Sequence, residues 1–245
     1  MNMTGCMKNF SLVSILALSL SLALAKPCLA ADLSQDDAKR LLEDTTTIAT
    51  YLEFKGESDY TGKPENIIKA ALFGCFDAKS RFVFEQEQRK EDGKKPLPDT
   101  TALFTVNGRP VTADQILSRE DAPALFNNLS ENFTCFISRD AVALAALHFT
   151  GHKIKEHRAP KGDERFGDTL LNDKGYFVSI DGLGDAPTEA VLKKITAQAD
   201  GFILTGEVIE VIGDPDEHKK PGTFRLELKP GEEPGTWTRQ YSEKE

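Results

Sequence analysis

Three of the chain's four histidines, His148, His152 and His157, fall within ten residues. A helix through this stretch would set His148 and His152 on one face, as a zinc pair requires, with Glu156 or His157 as a third ligand. The chemistry would be that of a metal-dependent enzyme, a hydrolase in the simplest case. Gly151 argues against a helix between them, and on a strand His152 and His157 would face opposite ways. No His-Glu-x-x-His phrase supplies the general base of a zinc protease. Surface histidines on a strand or loop are the plainer reading.

Carboxylates cluster at Asp181 and Asp185, and again at Asp214, Asp216 and Glu217. Neither group has the ligand spacing of a twelve-residue calcium loop, so both read as turn residues. The chain has no Gly-x-Ser-x-Gly elbow, no phosphate-binding loop and no dinucleotide glycine fingerprint. No catalytic residue is nominated on this basis, and no cofactor is expected.

The first thirty residues read as an address. Lys8 precedes an apolar run from Phe10 to Ala25, and small residues follow at Cys28, Ala30 and Ala31. A basic start, a short apolar core and a small-x-small exit describe a secretory signal cut near Ala30 or Ala31. The run is shorter than the roughly 20 residues of a membrane span. The expected product is an exported protein, periplasmic or extracellular, with no stable span after cleavage. Lys8 and Lys26 leave with the leader, so the net charge of −9 becomes −11. Such an acidic chain is repelled by phosphate backbones, which argues against nucleic-acid partners.

Cys6 and Cys28 leave as well, and Cys75 and Cys135 remain. Two cysteines in an oxidising compartment are expected to form a bridge. Two separately buried thiols are the alternative, because both stand among phenylalanines (Phe73, Phe76, Phe133 and Phe136).

The elements that position these residues fall into three parts: the leader 1–30, a helical region 31–98, and a mixed region 99–245 that forms one compact domain with it. Ser34 can cap a helix whose apolar positions, Ala38, Leu41, Leu42, Thr45, Ile48, Ala49 and Leu52, recur at three and four. Pro64 suits the first turn of a second helix carrying Ile67, Ile68, Ala71, Leu72, Cys75 and Phe76. Ala102–Val106 reads as a strand, Asn107-Gly108 as a tight turn, and Thr112 with Gln115 as a capping box. A short helix is expected near Asp121 and Pro123, and strands at Phe133–Ile137 and Tyr176–Ile180. Asp140–Phe149 is open between helix and strand, and 158–173 is a loop. The spacing of Val191, Leu192 and Ile195 predicts a helix from Pro187 to Ala199.

The end of the chain is a three-strand antiparallel meander. Phe202–Ile212 is β-rich, and Phe224, Leu226 and Leu228 alternate with Arg225, Glu227 and Lys229. A final strand sets Trp237 and Tyr241 on one side. The class is therefore α+β, with N-terminal helices packed on a C-terminal antiparallel sheet of four to six strands. That order of parts is similar to cystatin-like and NTF2-like cones. An apolar cavity is expected between the curved sheet and its helices, near Phe224, Trp237 and Tyr241.

One short phrase, Val106-Asn-Gly-Arg-Pro-Val-Thr112, resembles the "VNGxxIT" stretch of parvulin-linked periplasmic chaperones. The likeness spans seven residues and implies a chaperone-like activity. A strand, an Asn-Gly turn and a threonine cap would produce the same letters. The leading expectation is a non-enzymatic envelope protein binding a protein partner or a small apolar ligand. The metal-dependent enzyme and the chaperone follow it.

Overall fold

The computed structural model describes residues 33–54, 56–162, 167–180, 188–210 and 222–244. Leu33–Glu245 forms one compact unit. The expected leader 1–30, nearly all of the acidic turn 213–222 and the Asp181–Asp185 cluster lie outside the described residues. The fold is α+β, with three α-helices, a hairpin and two four-stranded antiparallel sheets among the described residues.

Helix α1 spans Gln35–Leu52, and Ser34 caps it by accepting from the Asp37 N–H at 3.1 Å. Its predicted stripe is the buried one: Ala38, Leu42, Thr45, Ile48 and Ala49. Helix α2 spans Pro64–Glu91, with Pro64 in its first turn. From Ile67 to Cys75 every side of α2 is buried, the pattern of a helix enclosed by its neighbours. It packs on helix α3 (Arg139–Thr150), with Gly74 against the Phe149 ring. A Cβ added there would stand 2.3 Å from the Phe149 ring, so the crossing distance depends on that missing methyl. The stretch left open between helix and strand is thus a helix, capped by Ser138 accepting from Ala141 N at 3.2 Å.

β1 (Ala102–Val106) and β2 (Arg109–Thr112) form the expected hairpin. Asn107 (φ 51°) and Gly108 (φ 74°) turn it through left-handed backbone, which these two residue types accept at least cost. The Thr112–Gln115 capping box follows. β3 (Ile116–Ser118), β4 (Cys135–Ser138), β5 (Thr169–Leu171) and β6 (Gly175–Val178) make one sheet in the order β3-β4-β6-β5. β5 lies inside the predicted 158–173 loop, too short and too polar in its surroundings to announce itself.

The second sheet runs β10-β9-β8-β7, from Trp237–Lys244, Gly222–Pro230, Gly201–Glu210 and Thr188–Gln198 respectively. The meander is as read. β7, however, is a strand where a helix was expected. Its register slips between Leu192 and Lys194, a bulge with one extra residue. Ala190, Leu192, Ile195 and Ala197 pair with Val208, Gly206, Leu204 and Phe202, so the positions opposite the inward residues of β8 are spaced two, three, two. That bulge turns a period of two into an apparent three-to-four. α1 touches β7 and β10, while α3 touches β10, the hairpin, β4 and β6. The helices therefore stand between the two sheets, and the core is the volume they share.

Candidate functional site

The three histidines part company at the end of α3. Gly151 adopts φ +73° and closes the helix by donating its N–H to Leu147 O, so His152 is carried off the His148 face. His148 Nε2 lies 3.4 Å from Asp44 Oδ2, and its ring stacks on Phe104 at 4.7 Å. His152 Nδ1 lies 2.9 Å from Glu232 Oε1. His157 Nδ1 lies 2.8 Å from the Tyr176 hydroxyl, and burial with the nearby Arg139 charge holds its pKa below the usual value. Each histidine serves a different junction. Among the described residues no group of three His, Cys, Asp or Glu side chains is placed to hold a metal ion.

What gathers around His148 is instead a charged cluster centred on Arg239, whose side chain has no exposed surface. Its Nη1 donates to Thr45 Oγ1 at 3.0 Å and its Nη2 to His148 O at 2.6 Å, while Nε has no partner. Tyr60, also buried, donates its hydroxyl to Thr45 O at 3.0 Å. One guanidinium thus ties α1, α3 and β10 together. The negative charge nearest in effect is Asp44, which also receives Arg81 Nη2 at 3.3 Å. Arg81 continues to Asp77 at 2.5 Å and Glu43 at 3.3 Å.

The electrostatics follow from burial against neighbours. Burial alone pushes Asp44 up, but the His148 hydrogen bond and the Arg239 and Arg81 charges outweigh it, leaving its carboxyl below the usual range. At Asp77 burial wins over Arg81, and the pKa is raised. Burial also lowers Arg239 and raises Tyr60. Asp44 and His148 form an oriented carboxylate–imidazole pair, the geometry that steadies a general base. The Thr45 hydroxyl of this network is already held between Leu41 O at 2.5 Å and Arg239. The cluster is built to hold three elements in register.

Arg239 escaped the sequence reading although its signal was present. On a strand whose inward residues are Trp237 and Tyr241, residue 239 has inward parity. A charged residue at such a position needs buried partners, and Asp44, Thr45 and Tyr60 are their sources on distant segments.

The aromatic trio is divided. The Phe224 and Tyr241 rings stack at 6.2 Å, buried in the sheet's inner face, and the Tyr241 hydroxyl donates to Glu243 at 2.6 Å. Trp237, half-buried, meets Phe202 edge-on at 5.6 Å, at the other end of β10. The inner face is taken up by these contacts and by Arg239. A depression of about 440 Å³ is lined by Thr205, Glu207, Thr223, Arg225 and Ser242, whose positions alternate with the inward ones, and by Gly206 and Phe224. Thr205, Thr223 and Ser242 line it with hydroxyls, and Lys193, Arg225 and Lys244 supply cations against one Glu207. Lys193 is the extra residue of the β7 bulge.

Cys75 and Cys135 are free thiols in this structure, both buried. Burial pushes Cys135 up to about 12 and Cys75 well above its ordinary value. No helix among the described residues is long and apolar enough to cross a membrane. No protein-family profile, no curated protein and no solved structure matches the chain.

Proposed function

We propose that this is an exported, non-enzymatic binding protein that meets an acidic protein partner on the solvent face of the β7–β10 sheet. The observation that carries the reading is the depression on that face: three hydroxyls and three cations on a chain of net charge −9, with Lys193 paired to Glu207 at 3.1 Å and Arg225 to Glu227 at 2.9 Å. Cations concentrated on an otherwise acidic surface steer an acidic partner toward one patch and repel it elsewhere. The polar lining favours such a partner over a small apolar ligand.

A hexaglutamate peptide serves as the probe. The wild-type melting temperature is expected to rise with peptide concentration, as ligand linkage requires. In Arg225→Glu with Lys244→Glu the rise is lost, while the melting temperature without peptide moves by no more than about 2 °C. A wild-type protein unmoved by millimolar peptide overturns the reading. So does an apolar probe that shifts the emission of Trp237 and raises the melting temperature.

Export is supported by the leader 1–30 and by a compact unit that begins at Leu33, just beyond the expected cleavage point. The exported protein is expected to start at Ala31 or Asp32. Mass spectrometry of the exported fraction that finds Met1 retained would refute this.

A further inference from the structure

We infer that Cys75 and Cys135 form a disulfide across the α2–β4 contact when the chain folds under oxidising conditions, and that this bond cannot be added once folding is complete. Helix α2 packs directly on β4 and on its neighbour β3. Two landmarks bracket the position of Cys75 relative to Cys135. On one side, Cys75 Sγ contacts Ala141 O at 3.9 Å, in the first turn of α3, which follows β4 without a loop. On the other, Lys79 stands one turn beyond Cys75 on the same stripe and lies 3.7 Å from Asp121. Asp121 in turn accepts the N–H of Ser118, the residue paired with Cys135 across β3 and β4. The start of β4 thereby lies beside the α2 stripe that carries Lys79 and, one turn before it, Cys75. The mutual effect of the thiols agrees with this placement, since Cys135 adds to burial in disfavouring the Cys75 thiolate.

The reaction is two successive exchanges with a disulfide donor, such as glutathione disulfide or the oxidised form of a protein dithiol. One cysteine thiolate attacks a donor sulfur and expels a thiolate, leaving a mixed disulfide. The second cysteine thiolate then attacks the mixed disulfide at the first cysteine's sulfur and expels the other half of the donor. The two cysteines lose two protons and two electrons, and the donor is reduced to two thiols. Both attacks need a thiolate with access to the donor. Burial denies both to the finished fold, so the exchange belongs to the folding chain.

The test does not depend on export. The purified full chain is reduced, unfolded, and refolded in a glutathione redox buffer. A second sample is folded first and then placed in the same buffer. Both are alkylated in denaturant without reductant. At Cys75 and Cys135 the refolded sample is expected to take no label until reduced, and the folded sample to take both. The bridged form should also melt about 10 °C higher than the reduced form, the order expected for closing so long a loop in a chain of this size. Full labelling of both cysteines after oxidative refolding overturns the bridge. Loss of both labels in the folded sample overturns the restriction to folding. Cys75→Ala and Cys135→Ala single variants, refolded oxidatively, should each leave the remaining thiol free or capped by glutathione. If loss of the label persists in either variant without glutathione attached, the pairing is wrong.

Discussion

Replacing Asp44 with leucine should lower the melting temperature by about 6–20 °C. The variant leaves Arg239 buried with only the dipoles of Thr45 and His148 O as partners. Asp44 acts on Arg239 through its charge rather than by contact. Leaving a buried charge uncompensated costs about 3–5 kcal/mol, and each kcal/mol moves the melting point of a domain this size by roughly 2–4 °C. Arg239→Met in the same background should recover most of the loss, since an apolar side chain of similar length ends the uncompensated burial. A double-mutant cycle over the two sites measures the coupling. An Asp44→Leu melting point within 1 °C of wild type would show that the charge on Arg239 is balanced elsewhere.

The same pair sets a pH signature. Asp44 has a folded-state pKa below its unfolded value, so its stabilisation is complete above the ordinary aspartate range. It is lost as pH falls through the lowered pKa. Asp77, raised by burial, works the other way: the fold holds its proton, and stability declines as pH rises from the usual value through the raised one. Arg239, Arg81, His148 and Glu43 face these two groups. The acid limb of the wild-type stability profile should therefore be steeper than that of Asp44→Leu. Parallel profiles would remove Asp44 as its source.

The second large effect is expected at Gly151, where Gly151→Ala should cost about 2–5 kcal/mol. Its φ of +73° charges any L-residue about 1–2 kcal/mol. A Cβ there would also stand 2.5 Å from Trp237 C, Trp237 O and Thr238 N, which are backbone atoms and cannot swing aside. Overpacking of this kind adds about 1–3 kcal/mol. The contact also matters because Gly151 O accepts the Glu232 N–H at 2.8 Å, joining the end of α3 to the turn before β10. Gly93→Ala is the control, with φ +67° but open space around the site. It should show the conformational cost alone. Equal melting points for the two variants would mean that the end of α3 is free to move away from β10.

Much of the fold was legible because its signals are local. The Ser34 cap, the α1 stripe, Pro64 at the start of α2, the Asn107-Gly108 turn and the Thr112–Gln115 box each depend on residues within one turn of one another. The alternation of Phe224, Leu226 and Leu228 likewise needs no distant partner to declare a strand. β7 failed for a reason internal to its signal. A bulge at Lys193 shifts the inward parity, and whether Ile195 belongs to a helix or a strand is settled only by Leu204 opposite it.

The candidate sites were less legible because they are made of pairings between remote segments. By itself the sequence determined that a polar residue at 239 would face inward and that Gly151 would interrupt the histidine stretch. Only the tertiary structure decided that Thr45 meets Arg239, that Asp44 meets His148, and that His148, His152 and His157 take separate partners. It also placed the depression on the wet face of the sheet rather than beneath it. The physical reason is the range of the forces concerned: caps, turns and periodicities are satisfied within a few residues of chain. Buried charges and cavities are satisfied by whichever groups the packing of helices against sheets brings within a few ångströms.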